Sequence, residues 1–124
     1  MNSYQDLKVW QRAMDLAVEC YELTRQFPRE EVYGMVSQIR RSAASIAANI
    51  AEGHGRDATG HYVQHLKFAQ GSLKELETHL ILSSRVGIAS PQRVQVLMKS
   101  SEEVGKMLRS LIRSLQDGRN ERTE

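Results

Sequence analysis

The sequence predicts an all-α protein, built as one antiparallel four-helix bundle with up-down-up-down connectivity. Apolar residues recur at spacings of three and four in four separate segments, which is the period of an amphipathic helix. None of these segments alternates apolar and polar residues as a strand does, and glycine or proline separates each from the next. A chain of 124 residues has room for one core, so the four helices predict a single domain over residues 1–118.

The first helix is predicted over residues 5–27, with Pro28 beyond its end. Two apolar stripes run side by side along it. One stripe is Leu7, Trp10, Met14, Ala17 and Tyr21, and the other is Val9, Ala13, Leu16, Cys20, Leu23 and Phe27. Together they cover a wider arc than packing within one bundle requires. We therefore expect surplus apolar surface on this helix, covered by a second copy of the chain.

The second helix is predicted over residues 30–52, with Glu30 and Glu31 in its first turn, where carboxylates favour the helix dipole. Gly53 and Gly55 are expected to end it. Its core positions are Val32, Val36, Ile39, Ala43, Ile46 and Ile50.

The third helix is predicted over residues 58–86, with Asp57 or Thr59 as its cap and Gly87 beyond its end. Its core positions are Tyr62, Leu66, Ala69, Leu73, Leu76 and Leu80.

The fourth helix is predicted over residues 91–117, because Ser90 before Pro91 gives a cap followed by a first-turn proline. Gly118 is expected to end it and to leave residues 119–124 as a flexible polar tail. Its core positions are Val94, Leu97, Ser101, Val104, Leu108, Leu111 and Leu115.

An alanine-rich segment, QIRRSAASIAANIAEGHGR over residues 38–56, shows three faces when it is drawn as a helix. One face is the core line. Beside it lies a face of small residues with one arginine, namely Arg40, Ala44, Ala47 and Ala51. Alanines allow a second helix to approach closely, either within the chain or from another subunit.

The third face of this segment is polar and consists of Arg41, Ser45, Asn49, Glu52 and Arg56. It is either a solvated face, or the lining of a subunit interface or of a binding groove. In an interface, Arg41 would pair with Glu52 of a neighbouring copy, and the Asn49 amide would supply a donor and an acceptor.

Charge and cysteine content favour a cytoplasmic protein with no membrane span. The net charge is +2, and Cys20 is the only cysteine, so no internal disulfide forms. The N-terminal segment has no apolar region of the kind found in signal peptides. Twelve arginines against five lysines favour forked recognition of phosphates or carboxylates, although acidic residues dilute the C-terminal arginines.

Residues with catalytic or metal-binding chemistry are few. His61 and His65 stand four apart, which is metal-ligand spacing, but Tyr62 occupies the place of the zincin glutamate. We therefore expect no metal site. No acid, base and pocket come together, so we expect no enzymatic activity and no cofactor. Gly71, inside the third helix beside Ser72, predicts close helix packing.

Four blocks, DLKVWQRAMDLA, FPREEVYGM, QIRRSAASIAANIAEG and FAQGSLKELETHL, stand in an order that resembles the 23S rRNA intervening-sequence proteins. The resemblance extends from about Leu7 to Gly87. Carried over by position, the family's motif residues are Gln38, Arg40, Arg41, Ser45, Asn49, Glu52, Gly53, Gly71, Ser72, Glu75 and Glu77. The chain departs from the pattern at Ala47, where proline is frequent, and at Ser42, where alanine is usual.

The resemblance implies a left-handed four-helix bundle that assembles as a ring-shaped homopentamer. It allows contact with RNA or DNA and implies no established enzymatic activity. Two functions stay open: an oligomeric scaffold that contacts structured RNA or a ribonucleoprotein, and a protein-interaction module with no nucleic-acid contact.

Overall fold

The computed structural model describes the backbone of residues 3–123 and the side chains of residues 3–118. Its four α-helices are α1 (Lys8–Thr24), α2 (Ser37–His54), α3 (Thr59–Arg85) and α4 (Pro91–Thr123). Each helix packs on the next, and α1 also packs on α4, which closes a single bundle. The all-α fold predicted from apolar periodicity is confirmed.

Pairs of side chains that join neighbouring helices run in opposite chain order, so adjacent helices are antiparallel. On α1 and α4, Arg12 pairs with Glu103, whereas Gln26, beyond the end of α1, accepts a hydrogen bond from Arg93 at 2.7 Å. The same inverse order joins α2 to α3. On α3 and α4, Glu77 bonds to Ser101 and Leu73 lies next to Gly105, which is again the inverse order. Both α1 and α3 are therefore antiparallel to α4 and run in the same direction.

Helix α1 is shorter than predicted at both ends. A 3₁₀ turn over Tyr4–Asp6 precedes it, with the Ser3 hydroxyl accepting a bond from the Gln5 amide at 3.1 Å. At the other end the helix stops at Thr24, before the expected residue 27. Because Pro28 disfavours helical dihedrals in the residue before it, the last turn is lost ahead of the proline.

Helix α2 starts seven residues later than predicted, at Ser37. A 3₁₀ turn (Arg29–Glu31) and a π turn (Val32–Val36) occupy the expected first turns. Gly34 has non-helical dihedrals of φ −109° and ψ −108°, so the backbone bends there. The Glu31 carboxylate accepts a bond from the Met35 amide at 3.3 Å, which fits the predicted role of an acidic first turn.

The capping and terminating residues predicted for α3 and α4 are confirmed in part. Gly87 takes the left-handed φ of +83° that ends α3, a conformation that favours glycine. The Ser90 hydroxyl caps α4 by accepting a bond from the Arg93 amide at 3.1 Å. The predicted caps of α3 were wrong, because Ala58 is the cap residue and makes no side-chain bond.

Helix α4 continues through Gly118 to Thr123, so glycine does not end it as predicted. The side chains of residues 119–124 lie outside the described residues, and flexibility of this tail stays a prediction.

The core follows the predicted stripes with few exceptions. Every residue of the second stripe of α1 is buried, as are most predicted positions of the other helices. Val32 was wrongly placed in the core and is exposed, because it lies in the π turn. Ile112 is buried, whereas Leu111 and Leu115 are half-buried. Within residues 3–123, no helix combines the length and apolar character that crossing a membrane requires.

Candidate functional site

An open apolar groove of about 550 Å³ runs between α1 and α2. Its wall on the α1 side is the outer part of the first apolar stripe, including Trp10, Met14 and Tyr21. Ala44 and Ala48 of α2 form the floor. Met14 and Tyr21 are exposed, so the surplus apolar surface predicted for this helix is present in the folded chain.

The sequence prediction missed four residues of this groove, namely Tyr4, Val18, Arg25 and Ala48. Val18 lies on neither predicted stripe, yet it lines the groove and is 53% exposed. Its positions four after Met14 and three before Tyr21 were the available signal. Ala48 was not placed on the small face, although it lies four residues after Ala44.

The small face of α2 divides into an inner and an outer part. Ala47 is buried at 3% exposure, Ala51 is half-buried and Ala44 is exposed. All three alanines line the groove, but Ala47 is packed within the chain, whereas Ala44 is open to solvent.

Arg40 joins α2 to α1 beside the groove, through contacts with Thr24 and with Tyr21. Its Nε atom donates to the Thr24 hydroxyl at 2.8 Å, and its guanidinium lies over the Tyr21 ring, 4.4 Å from the centroid. The Thr24 hydroxyl in turn donates to the Cys20 carbonyl at 2.8 Å. Arg40 was a candidate interface or nucleic-acid contact; the structure gives its guanidinium an intrachain role.

The polar face of α2 forms hydrogen bonds with α3. The Ser45 and Ser72 hydroxyls are 2.9 Å apart, and the Asn49 amide donates to the Ser45 carbonyl at 2.9 Å. The Asn49 Oδ1 atom lies 3.3 Å from His65 Nδ1, which must carry the proton because Oδ1 only accepts. These residues are half-buried. The middle of the predicted polar face of α2 therefore packs against α3 within the chain.

The charged ends of this polar face are exposed and pair within the chain. Arg41 donates to Gln38 at 2.5 Å and lies 3.4 Å from the carboxylate of Glu75. Glu52 pairs with Arg56 at 2.8 Å, one turn along. The pair expected between Arg41 and Glu52 of a neighbouring copy stays a prediction.

Glycine positions correct one packing prediction. Among the described residues, nothing lies within 4 Å of a Cβ placed at Gly71, so the close helix packing predicted there is not made within the chain. The close approach occurs at Gly53, where a Cβ would lie 2.8 Å from the Cβ of His65. Gly53 was predicted to end α2, and it lies inside the helix, which continues to His54.

Cys20 is fully buried, and burial together with nearby Glu19 raises the pKa of its thiol to about 12. A neutral buried thiol is a packing group, as expected, since the thiolate is the reactive form. Within the described residues, no group of three or more His, Cys, Asp or Glu side chains is arranged to hold a metal ion.

Comparisons with known proteins identify relatives of the whole bundle. The model of the family described as 23S rRNA-intervening sequence protein matches residues 5–110. The crystal structure of a protein of unknown function from the S23 ribosomal protein family of Bacteroides thetaiotaomicron is similar, with a TM-score of 0.76 and 26% identity. The match covers 84% of this chain and 97% of that one. No curated protein matches the chain.

Proposed function

The chain belongs to the family of 23S rRNA-intervening sequence proteins, and we propose that it is a non-enzymatic, cytoplasmic bundle that assembles with identical copies as a homopentameric ring. In this proposal the ring contacts structured RNA or a ribonucleoprotein.

The open groove between α1 and α2 carries the self-assembly part of the proposal. Five apolar side chains of α1 border it, and three of them, Met14, Val18 and Tyr21, are exposed. Contiguous apolar surface on a soluble protein is typical of an interaction site. The alanine floor lets a helix from another copy lie close to α2.

Two substitutions on the small face separate assembly from folding. Ala44→Glu places a charge in the exposed groove, so we expect the oligomer to dissociate while helicity and thermal stability stay near wild type. Ala47→Glu places it where the native side chain is 3% exposed, so we expect the chain to unfold. Val96→Glu, at an exposed apolar position on α4, is the matched control.

Light-scattering mass after size exclusion and circular dichroism measure both effects. A wild-type chain that remains at the 14.1 kDa monomer mass at micromolar concentration would contradict the proposed self-assembly. An equal decrease in oligomer mass in Ala44→Glu and Val96→Glu would show that the groove is not the contact surface between copies.

The nucleic-acid part is supported by the family description and by the net charge of +2 per chain, which sums over the copies of a ring. Its test is binding to a labelled 23S rRNA fragment at two salt concentrations. A ring that neutralises 6–10 phosphates should lose about 10³–10⁵ in affinity between about 50 and 200 mM salt. Negligible binding at about 50 mM salt would contradict this part.

A second candidate is a protein-interaction scaffold with no nucleic-acid contact. Its support is that several arginines are paired with carboxylates within the chain, including Arg12, Arg41 and Arg56. Side chains already paired with carboxylates attract phosphates less strongly. Purification of the tagged chain from its native cells, with a stoichiometric protein and no co-purifying RNA, would favour this function over the first.

A further inference from the structure

We infer that a basic face between α3 and α4 binds the phosphate backbone of a double-helical segment of RNA. The cations of this basic face are Lys67 and Lys74 of α3 with Lys99, Lys106, Arg109 and Arg113 of α4. The inference rests on the nucleic-acid part of the proposed function and names the surface that makes the contact. It differs from the sequence prediction, which placed nucleic-acid contacts on the polar face of α2.

The cations of α4 lie on one side of the helix, the side next to α3. With one glutamate they recur at alternating spacings of three and four residues, namely Lys99, Glu102, Lys106, Arg109 and Arg113. All five are exposed. Three members of this row line an open cleft of about 460 Å³ between the two helices, and Lys74 lines the cleft from α3. From residue 99 to residue 113 the row spans about 21 Å.

Lys67 adds a second cation on the α3 side, two turns before the lysine that lines the cleft. The close contact of Leu73 with Gly105 sets the relative height of the two antiparallel helices, and the bond from Ser101 to Glu77 gives the same offset. Counting six residues back from the leucine and six forward from the glycine places Lys67 level with residue 111, inside the α4 row. Cations therefore stand on both sides of the cleft.

Most cations of the basic face are not engaged within the described part of the chain. Lys74 is paired with Glu77 at 3.1 Å, whereas no ion pair is made there by the other five, Lys67, Lys99, Lys106, Arg109 and Arg113. On the polar face of α2, by contrast, Arg41 and Arg56 are each paired with a carboxylate. The basic face is thus the better acceptor of phosphate groups.

Charge is distributed unevenly over the chain. The basic face holds six cations and two carboxylates, those of Glu77 and Glu102, and so carries +4. The whole chain carries +2, so the remainder carries −2. Asp117 lies one turn beyond the end of the α4 row. The positive excess of the chain is therefore concentrated between α3 and α4, and a concentrated charge of one sign attracts a polyanion.

Gly105 leaves room for the Arg109 guanidinium beside the cleft. A Cβ at residue 105 would lie 3.5 Å from Arg109 Nη1 and 3.3 Å from Leu73 Cδ2. The arginine side chain therefore reaches back by one turn of α4, towards the α3 side of the cleft that it lines. A guanidinium there presents a planar fork that binds two phosphate oxygens at once.

The composition of this face favours a double helix over a single strand. Residues 91–123 of α4 include no Phe, Tyr or Trp, and none lines the cleft. Without an aromatic platform, the bases of a single strand have no side chain on which to stack. Double-helical RNA is bound instead through its phosphates and ribose hydroxyls, which are the groups that lysine and arginine recognise.

Replacing three cations with glutamine tests the face, because glutamine removes the charge and remains a good helix former. Lys67→Gln/Lys106→Gln/Arg113→Gln should weaken binding to a labelled 23S rRNA stem-loop by more than about tenfold at about 50 mM salt. The slope of log affinity against log salt should fall by about 1 for each removed cation that contacts a phosphate.

The matched control, Arg29→Gln/Arg41→Gln/Arg56→Gln, removes the same charge from exposed positions in and beside α2. It should change the affinity by less than about threefold, because salt screens charges far from the bound RNA. None of the six substituted residues lines the α1–α2 groove, so circular dichroism and light-scattering mass should match wild type for both variants.

Two adjacent glutamates give a second readout, a gain of affinity that a damaged fold does not produce. Glu102 lies within the basic row, whereas Glu103 points to α1 and pairs with Arg12. Glu102→Gln removes a repulsive charge from the cleft and should tighten binding by about twofold. Glu103→Gln makes the same change of charge one residue away and should have a smaller effect.

The outcomes distinguish this inference from the proposed function. A wild-type chain that does not bind the stem-loop at about 50 mM salt overturns both. If wild type binds and the two triple variants lose affinity equally, the inference is overturned and the nucleic-acid part of the proposed function stands. Tighter binding of single-stranded RNA of the same length, or equal binding of labelled poly-L-glutamate, overturns the assignment to double-helical RNA.

Discussion

The Ser101 hydroxyl on α4 donates a 2.5 Å hydrogen bond to the Glu77 carboxylate on α3. Ser101 is fully buried, and the Glu77 side chain is 14% exposed. Lys74 lies 3.1 Å from the other carboxylate oxygen. A mostly buried carboxylate at the edge of the core is thus held by one hydroxyl and one ammonium group.

Ser101→Ala removes the hydroxyl and leaves a buried carboxylate oxygen without its donor. We expect the free energy of unfolding to fall by about 1–3 kcal/mol, the cost of an unsatisfied buried polar group. Urea unfolding measures the loss. The control is Ser110→Ala at an exposed position on α4, which should change stability by less than about 0.5 kcal/mol. Equal effects would show that the bond contributes nothing.

Gly53→Ala tests the close approach of α2 to α3. The added methyl group would lie 2.8 Å from the Cβ of His65 and 3.2 Å from the Tyr62 carbonyl oxygen. Overpacking costs about 1–3 kcal/mol, and the better helix propensity of alanine offsets about 1 kcal/mol of it. We therefore expect a net loss of about 1 kcal/mol in urea unfolding, the middle of the resulting range of about 0–2 kcal/mol.

Gly118→Ala is the control for this substitution, because among the described residues no atom lies within 4 Å of its Cβ position. It should leave stability unchanged or raise it. A Gly53→Ala chain as stable as wild type would contradict the close contact.

Arg40→Lys and Arg41→Lys compare two adjacent arginines with different environments. Lysine at residue 40 loses the Nε bond to Thr24 and the planar stacking on Tyr21, so we expect a stability loss of about 1 kcal/mol. Lysine at residue 41 changes an exposed pair and should cost less than about 0.5 kcal/mol. Thermal unfolding measures both stability losses. A larger loss for Arg41→Lys than for Arg40→Lys would contradict the intrachain role of Arg40.

The buried thiol of Cys20 predicts a loss of stability in alkali. Its pKa is about 12 in the folded chain against an ordinary value of 9.0, so the folded state keeps the proton to a higher pH than the unfolded state does. This contribution is complete below pH 9 and declines by up to about 1.4 kcal/mol per pH unit between the two values. Cys20→Ala has no thiol to titrate and therefore lacks this contribution. The difference between the free energies of unfolding of wild type and variant should decrease above pH 9.

The core was predictable because the buried positions of an amphipathic helix recur at spacings of three and four residues. Every residue of the second predicted stripe of α1 is buried, although Thr24, which lies on neither stripe, is buried as well. Ser90 and Gly87 marked boundaries through local backbone geometry. The start of α2 was not predictable from periodicity. Gly34 breaks the helix there, and a single glycine is compatible with both a continuous and a broken helix.

The presence of an exposed apolar surface at the candidate site could be predicted from the sequence, but the contacts between side chains of different helices could not. Two adjacent stripes on α1 indicated surplus apolar surface, and Met14 and Tyr21 are exposed accordingly. The partners of the polar face were missed, because Ser72 and His65 are recognisable as partners of Ser45 and Asn49 only once the relative height of α2 and α3 is known. Sequence spacing within one helix carries no information about that height.

The open groove owes its depth to two short side chains, Ala44 and Ala48. Leucine at both positions would reach Met14 and Val18 and seal the cleft with atoms of the same chain. The bundle would then be a self-sufficient subunit, with its topology and its core unchanged. Two residues on one helix would therefore decide whether the proposed contact between copies can form.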